Sequence, residues 1–209
     1  MALDFQPGTR WSYSPGVGLN VVARIIEIVS GMPYDKFASE RIFEPLGMKD
    51  TYFNLPAEKE SRRVVIPGID GKAKGWDKKT SYINASGGLS STAEDYLRFE
   101  QMLANDGTLF GNRILSPESV AMMTSNYVVG LDQGKKKLSG GFGYTVAIVL
   151  DPVAEKSGRS KGSFGWGGAY GTQSWTDPTE EISAVLMIQQ PYSSVATGFE
   201  QSIREAILY

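Results

Sequence analysis

Residues 171–190, GTQSWTDPTEEISAVLMIQQ, contain two segments that predict neighbouring β-strands. GTQSWTD (171–177) and ISAVLMIQQ (182–190) are short runs that contain β-branched and aromatic residues, a composition typical of strands. Only a short turn at Pro178-Thr179-Glu180 separates them. Because so short a connection can join antiparallel but not parallel strands, the sequence predicts an antiparallel hairpin here.

The segments that flank this hairpin predict one more strand and a helix. GFGYTVAIVLD (141–151) alternates and is rich in β-branched residues, which predicts a strand. The tail from Ser193 to Leu208 repeats apolar residues every four positions, which predicts a helix with one apolar stripe. These residues are Val195, Phe199, Ile203 and Ile207. We expect the stripe to cover a face of the sheet.

The first 140 residues carry helix signals instead. Residues 16–30 place six aliphatic residues on one face at helical spacing, and Gly31 and Pro33 follow as stop signals. The six are Val17, Val21, Val22, Ile25, Ile28 and Val29. Three more helices are predicted. One covers residues 33–43, and a second is opened by Thr92, with Asp95 as its capping box, and closed by Gly107. The third begins at Ser116-Pro117-Glu118.

This order of elements indicates an α+β fold rather than alternating βαβ units. Helices come first, strands follow, and a helix that covers the sheet ends the chain. We therefore divide the chain into a helical region, residues 1–140, and a region of antiparallel strands with the C-terminal helix, residues 141–209. Residues 54–85 are polar, and DGKAKGWDKK within them predicts an exposed loop.

Length, charge balance and apolar runs limit which kinds of partner the chain can bind. The 209 residues suit one compact domain or two closely packed subdomains. Lys and Arg number 21 against 23 Asp and Glu, so there is no basic field to hold nucleic acid. The run Lys135-Lys136-Lys137 is typical of a solvated loop. No apolar run is long enough to span a membrane and no signal-peptide pattern is found, which leaves the compartment open.

The chain contains no cysteine and no histidine. A Ser-His-Asp triad, a cysteine nucleophile and disulfides are therefore excluded. Because zinc sites use His or Cys ligands in nearly every case, we expect no metal and no other cofactor.

Two short stretches could carry chemistry. GWGGAYGT (165–172) holds four glycines, but no P-loop lysine follows them, so a phosphate cradle is excluded. A tight turn or close strand packing remains an alternative to a functional site there. In PGTRWSYSPGVG (7–18), Tyr13 could be an exposed general base or an amphipathic core residue with a solvated hydroxyl.

Together the two stretches resemble the serine β-lactamase-like proteins, which include class C β-lactamases, DD-peptidases and family VIII carboxylesterases. The resemblance rests on PGTRWSYSPGVGLNVVARIIEIVSGMPYDKFASERIFEPLGMKDTYF, ASGGLSSTAEDYLRFEQMLANDG and FGWGGAYGTQSWTDP, and it runs across essentially the whole chain. It implies a β-lactamase/transpeptidase-like fold, here incomplete, and is strongest towards the carboxylesterases.

The resemblance implies a role for Tyr13. The family's second motif, Tyr-x-Asn, corresponds here to Tyr13-Ser14-Pro15, so Tyr13 would be the base that exchanges a proton with the nucleophile. A tyrosine does this only where positive charge lowers its pKa from about 10. Pro15 stands where β-lactamases have an amide. The other Tyr-x-Asn, Tyr82-Ile83-Asn84, has a context that does not match.

The family's third motif, Lys-Thr-Gly or His-x-Gly at the start of a strand, corresponds to Trp166-Gly167-Gly168. By analogy the backbone N–H of Ala169 would be one of two oxyanion-hole donors. The substrate would lie against Trp166, Gly167, Gly168 and Tyr170. Trp166 replaces a cation, which makes this wall better suited to a neutral ester than to a carboxylate-bearing β-lactam.

The family's first motif, Ser-x-x-Lys, is missing, because no lysine in the chain has a serine three positions before it. In the family this motif lies well upstream of the tyrosine, and only twelve residues precede Tyr13 here. We therefore expect that the whole N-terminal part is absent. Since that part also supplies strands of the sheet, ISAVLMIQQ would be an exposed edge that invites pairing. A homodimer or a complementing N-terminal segment is expected.

Three functions remain open: two follow from the resemblance, and the third follows from the missing Ser-x-x-Lys. The first is the C-terminal part of a serine hydrolase that acts on a small carboxylic ester through an acyl-enzyme, or transfers the acyl group to another acceptor. The second is a β-lactamase or DD-peptidase, which Pro15 and Trp166 disfavour. The third, from a different class, is an inert fragment that serves as a binding or interaction module.

Overall fold

The computed structural model describes residues 5–14, 16–64, 82–134, 139–190 and 194–207. Pro15, the lysine run and the DGKAKGWDKK segment lie outside these residues. The helices are α1 (Val17–Ser30), α2 (Tyr34–Ala38), α3 (Ala93–Ala104), α4 (Pro117–Met123) and α5 (Ser194–Ile207). A π-helical turn (Ser39–Phe43) continues α2, and a 3₁₀ helix spans Ala57–Arg62.

The strands form one five-stranded antiparallel sheet and one small hairpin. The hairpin pairs β1 (Thr108–Leu109) with β2 (Asn112–Arg113), and the sequence analysis did not predict it. The sheet has the order β3-β4-β5-β6-β7. Its strands are β3 (Gly141–Phe142), β4 (Ala147–Ile148), β5 (Phe164–Gly167), β6 (Gln173–Asp177) and β7 (Ile182–Leu186). The expected hairpin is β6–β7, and the α+β class is confirmed.

The prediction of one strand over residues 141–151 is wrong, because the chain reverses direction inside it. The N–H of Gly143 donates to the carbonyl of Val146 at 2.8 Å, which closes a tight turn. Thr145 adopts a φ of 69° within that turn, a costly conformation for a β-branched residue. A Cβ at position 143 would clash with the carbonyl of Met123, so glycine allows the turn to lie against the end of α4.

The helix caps follow the sequence signals. The Thr92 hydroxyl accepts from the N–H of Asp95 at the start of α3. Ser116 caps α4 in the same way, with Pro117 in the first turn. Gly31 ends α1 with a φ of 70°, and its N–H donates to the carbonyl of Glu27.

The core lies between α3 and the sheet. Met102 and Leu103 of α3 pack in one buried cluster with Ile148 of β4 and Phe164 of β5. On β6, Trp175 meets Phe199 of α5, with ring centroids 6.4 Å apart. Each fully buried side chain of this size stabilises the fold by about 1.5–3 kcal/mol.

Polar contacts hold α5 in place. The Glu200 carboxylate accepts hydrogen bonds from the Ser157 hydroxyl, at 2.6 Å, and from the N–H of Gly158. It also pairs with the Arg159 guanidinium at 3.1 Å. The last helix is thereby fixed to the loop between β4 and β5. Phe199 of its predicted apolar stripe contacts the sheet at Trp175, whereas Val195 and Ile207 are about half exposed, so the stripe covers the sheet only in part.

The apolar stripe of α1 is exposed. Its six aliphatic side chains are between 50 and 82% accessible to solvent, whereas Ala23 on the other side of the helix is buried. No described helix is by itself long and apolar enough to cross a membrane. The pair of α1 and the helical segment 34–43, which is bent by 82°, reaches that length and composition only together.

Candidate active site

The structure brings together the two stretches that the sequence singled out. Tyr13 and Trp166 are 153 residues apart in the chain, and the indole Nε1–H of Trp166 donates to the Tyr13 hydroxyl oxygen at 3.3 Å. Their ring centroids are 5.3 Å apart. Both residues are partly exposed to solvent, Tyr13 by 49% and Trp166 by 36%.

Strand pairing positions Trp166. It lies opposite Ser174 in the β5–β6 pair, and Gly167 lies opposite Gln173. The motif is at the end of β5 rather than at the start of a strand, which corrects the expectation from the family pattern. A Cβ on Gly165 would clash with the backbone of Ser174 and Trp175. This glycine is therefore needed for the close approach of β5 to β6.

A turn follows the strand and carries the expected oxyanion donor. The N–H of Gly171 donates to the carbonyl of Gly168 at 3.0 Å, and the N–H of Gly168 donates to Thr172 at 2.8 Å. Ala169 and Tyr170 therefore occupy the tip of the turn. Within the described residues the N–H of Ala169 has no acceptor, and Ala169 is exposed.

The segment that carries Tyr13 is fixed to the loop around Asp132 and to the edge strand β3. The N–H of Trp11 donates to the carbonyl of Asp132 at 2.9 Å, and Arg10 forms a parallel bridge with Asp132. The Trp11 ring lies 5.2 Å from the Phe142 ring. Because these contacts hold the segment two residues before Tyr13, they define where its hydroxyl can lie.

Phe142 and Trp11 are site residues that the sequence analysis missed. The Phe142 ring makes an edge-on contact with the Trp166 ring at 5.1 Å, so four rings form one continuous cluster from Trp11 to Tyr13. The N–H of Phe142 donates to Asn126 at 3.1 Å, which fixes the backbone behind the ring. The position of Trp11 two residues before Tyr13 was a usable signal, since an extended segment places such residues on one face.

A pair of tyrosines borders this cluster. The rings of Tyr127 and Tyr144 stack at 4.7 Å with 7° between their planes, and each is about half exposed. The N–H of Tyr127 donates to the carbonyl of Phe142 at 3.0 Å. The hydrogen bond between the two hydroxyls raises the pKa of Tyr127. The Tyr127 phenol therefore stays neutral at physiological pH.

The other Tyr-x-Asn triplet has a local structural role. The Asn84 side chain accepts from the N–H of Ser86 at 3.2 Å and from the Ser86 hydroxyl at 2.7 Å, as in an Asx turn. Across the described ranges, no group of three or more Asp or Glu side chains is arranged to hold a metal ion.

Comparison with known proteins shows the family of the chain. The sequence model of the Beta-lactamase family matches residues 1–206. Protein Rv1367c of Mycobacterium tuberculosis is 34% identical over 207 residues, which cover 90% of this chain and 51% of that protein. Esterase EstB of Burkholderia gladioli is 26% identical over 231 residues, which cover 98% of this chain and 56% of that protein.

A solved structure supports the fold. EstCE1, described as a hydrolase with promiscuous acyltransferase activity, superposes with a TM-score of 0.74 at 21% identity and covers 98% of this chain but 58% of its own. The chain spans about half the length of the curated relatives it matches. Its fold is an incomplete β-lactamase/transpeptidase-like fold, and the chain belongs to the Beta-lactamase family.

Proposed function

We propose that this chain is the C-terminal part of a serine hydrolase that cleaves carboxylic esters through an acyl-enzyme. The observation that carries the proposal is the hydrogen bond between Trp166 Nε1 and the Tyr13 hydroxyl, 3.3 Å long. It joins the two motifs of the chain that correspond to catalytic motifs of the family.

Tyr13 is proposed as the general base. The resemblance pairs Tyr13 with the lysine of Ser-x-x-Lys, so the segment that brings the nucleophile would also bring the positive charge that a tyrosinate needs. When a serine oxygen attacks the ester carbonyl carbon, the oxygen of this tyrosinate accepts the serine proton. The proton then passes to the departing alkoxide as the ester C–O bond breaks, and the alcohol leaves. Water attacks the acyl-enzyme by the reverse proton route and releases the acid. The Trp166 N–H holds the Tyr13 oxygen in place through both steps.

Ala169 is proposed as an oxyanion donor. Its N–H projects from an exposed turn next to the Trp166 strand and has no acceptor among the described residues. A donor of this kind stabilises the tetrahedral intermediate by about 3–4 kcal/mol. Gly167, Gly168 and Tyr170 complete the surface against which the acyl group would lie.

The wall of the site favours a neutral ester over a β-lactam. The described cluster around Trp166 consists of aromatic rings, from Trp11 and Phe142 to Tyr13, and these rings offer no cation to a substrate carboxylate. A relative of this chain is named an esterase, whereas others are named putative D-alanyl-D-alanine carboxypeptidases. Because the described rings offer no cation, the β-lactamase or DD-peptidase function is less well supported than the esterase function.

The nucleophile must come from outside this chain, because no lysine follows a serine by three positions. We propose that a complementing N-terminal segment that carries Ser-x-x-Lys completes the site, whereas a second protomer would pair with the open sheet edge without supplying the nucleophile. An inert fragment with a binding role remains the competing function, and the missing Ser-x-x-Lys is the observation that favours it.

One experiment separates these functions. A joined protein is prepared in which this chain follows the N-terminal segment of a family member that carries Ser-x-x-Lys. The chain alone and the joined protein are incubated with p-nitrophenyl acetate, a chromogenic cephalosporin and a fluorophosphonate probe. We expect ester hydrolysis and stoichiometric serine labelling only in the joined protein, with little cephalosporin turnover. A folded joined protein that stays silent would support the inert fragment, and faster cephalosporin turnover would support the β-lactamase.

A further inference from the structure

The stacked rings of Tyr127 and Tyr144 take no part in the proposed mechanism, although they border the candidate site. The rings lie 4.7 Å apart and nearly parallel, and each residue is about half exposed. Aromatic rings usually contribute to stability by being buried, so a stacked pair left half in solvent keeps much of its contact surface free. The pair is therefore available to contact a ligand.

Backbone hydrogen bonds hold this part of the chain without help from the two rings. The N–H of Tyr144 donates to the carbonyl of Met123 at 2.9 Å, and the N–H of Tyr127 donates to the carbonyl of Phe142 at 3.0 Å. Neither tyrosine belongs to the buried core cluster of the described residues. The rings are thus mounted on a fixed backbone, and holding that backbone does not require them.

Strand register puts Tyr144 beside an open stretch of β5. The pairing of β4 with β5 ends at Gly165, and beyond it Trp166 and Gly167 have a partner among the described strands only on the β6 side. Strand β3 runs in the same direction as β5, and Phe142 lies level with Gly165. Tyr144, two residues further along, therefore reaches the level of Gly167.

The space between Tyr144 and β5 suits one more ring. β3 is two strand positions from β5, about 10 Å at the usual strand spacing. The N–H and the carbonyl of Phe142 both bond to Asn126 and Tyr127, so Tyr127 covers Tyr144 from the side away from β5. The uncovered face of Tyr144 is then on the β5 side. Because stacked or edge-on rings have centroids about 4.5–7 Å apart, a ring fits between Tyr144 and Trp166.

The chemistry of the pair favours an uncharged ring. The hydroxyls of Tyr127 and Tyr144 bond to each other, so the pair presents the faces of its rings more than free polar groups. The neighbouring rings of Phe142 and Trp166 extend the same apolar surface. A carboxylate would find no countercharge on these four rings, whereas a flat neutral group would gain contact with them.

We propose that Tyr127 and Tyr144 form the surface that selects esters carrying a flat, uncharged aromatic ring. This proposal rests on the proposed function and names the class of ester that the site prefers. Either part of an ester, the acyl group or the alcohol, can carry such a ring. Both have the same recognition chemistry, and the experiment distinguishes them.

The joined protein is assayed with 2-naphthyl acetate, ethyl 2-naphthoate and ethyl acetate. The measured quantity is the ratio of kcat/KM for each naphthyl ester to kcat/KM for ethyl acetate. Tyr144→Ala should lower this ratio about three- to tenfold, the effect of losing one aromatic contact, and chiefly through KM. A loss confined to 2-naphthyl acetate would place the alcohol part on the tyrosines, and a loss confined to ethyl 2-naphthoate would place the acyl part there.

Two further variants control for structure. Tyr144→Phe keeps the ring and should retain most of the preference. Phe110→Ala removes an exposed ring from the separate β1–β2 hairpin and should leave the ratio unchanged. An unchanged ratio in Tyr144→Ala, with or without a parallel loss on all three substrates, would overturn the proposal. An equal loss in Tyr144→Phe would also overturn it, because the hydroxyl and not the ring face would then select the substrate.

A binding measurement separates this proposal from the proposed function. The uncharged ketone 2-acetylnaphthalene, which cannot be hydrolysed, is titrated into the chain alone, and its fluorescence gives the dissociation constant. Tyr144→Ala should weaken binding about three- to tenfold, whereas Phe110→Ala should not. That result beside a folded joined protein without esterase activity would keep the aromatic surface and reject the proposed function. Ester hydrolysis whose substrate ratio, like the binding, ignores Tyr144→Ala would keep the function and reject the surface.

Discussion

At the level of single residues, the proposed site depends on the contact between Tyr13 and Trp166. Sequence motifs could nominate each residue but could not show that they touch, because 153 residues separate them. The contact needs the Asp132 bridge that fixes the segment of Trp11 and the ring of Phe142 that supports Trp166. Neither support has a local sequence signature, since both depend on tertiary packing.

The glycines of the motif differ in their roles, and one of them yields a stability prediction. Gly165→Ala should destabilise the chain by about 1–3 kcal/mol, because the added Cβ meets the backbone of β6. Gly18→Ala, on α1 where nothing lies within 4 Å, is the matched control and should stabilise by up to about 1 kcal/mol. Urea unfolding of both variants measures the difference. Equal stability of the two variants would contradict the close β5–β6 approach.

The proposed oxyanion donor can be removed without removing the turn. Ala169→Pro deletes the N–H and places proline at the second position of a β-turn, where it is tolerated. In the joined protein this change should lower kcat for p-nitrophenyl acetate by about 10²–10³-fold. Ala169→Gly keeps the N–H and should retain most of the activity. A proline variant with unchanged kcat would remove Ala169 from the mechanism.

At the scale of elements, the bounds of the helices were more predictable than their surroundings. The predicted helix at 16–30 and α1 agree within one residue, because Gly31 is a strong local stop signal. The exposure of the aliphatic face of α1 was not predictable, since periodicity identifies an apolar face but not what covers it. The split of residues 141–151 into β3 and β4 was missed because a turn centred on Tyr144 and Thr145 has no favourable turn residue at its left-handed position.

The contact between α3 and β6 buries the Glu100 carboxyl group, which makes the free energy of unfolding depend on pH. Glu100 is 4% exposed and accepts from the Thr176 hydroxyl at 3.0 Å. Burial raises its pKa above the ordinary value of 4.5, so the folded state binds more protons than the unfolded state as pH rises past that value. The free energy of unfolding therefore falls with rising pH.

Glu100→Gln tests this linkage. The variant should lose less stability than the parent chain between pH 4 and pH 8, because an amide does not titrate. Glu205→Gln, at an exposed position on α5, is the control and should follow the parent. The free energy of unfolding is measured by urea titration at both pH values. A parallel decline in all three proteins would mean that Glu100 does not govern the pH dependence.

At the level of the whole chain, a well-packed sheet that carries the candidate site stands beside an exposed apolar helix face and an open sheet edge. The sheet carries Trp166 and the Ala169 turn on a well-packed scaffold, while α1 leaves its aliphatic face open. Among the described strands, β7 pairs only with β6 and so stands at an edge. The division into residues 1–140 and 141–209 stays a prediction. The family and the α+β fold were predictable from motif order, whereas the identity of any partner was not, because the chain spans only about half the length of the relatives it matches.

The joined protein provides the most direct test of the central claim, that Tyr13 is the base of a serine hydrolase site. The rate of fluorophosphonate labelling is compared for Tyr13→Phe and for Tyr82→Phe, which alters the other Tyr-x-Asn triplet. We predict that Tyr13→Phe slows labelling by about 10²–10⁴-fold, the usual contribution of a general base, while Tyr82→Phe labels at the parent rate. Equal labelling rates for the two variants would contradict this claim.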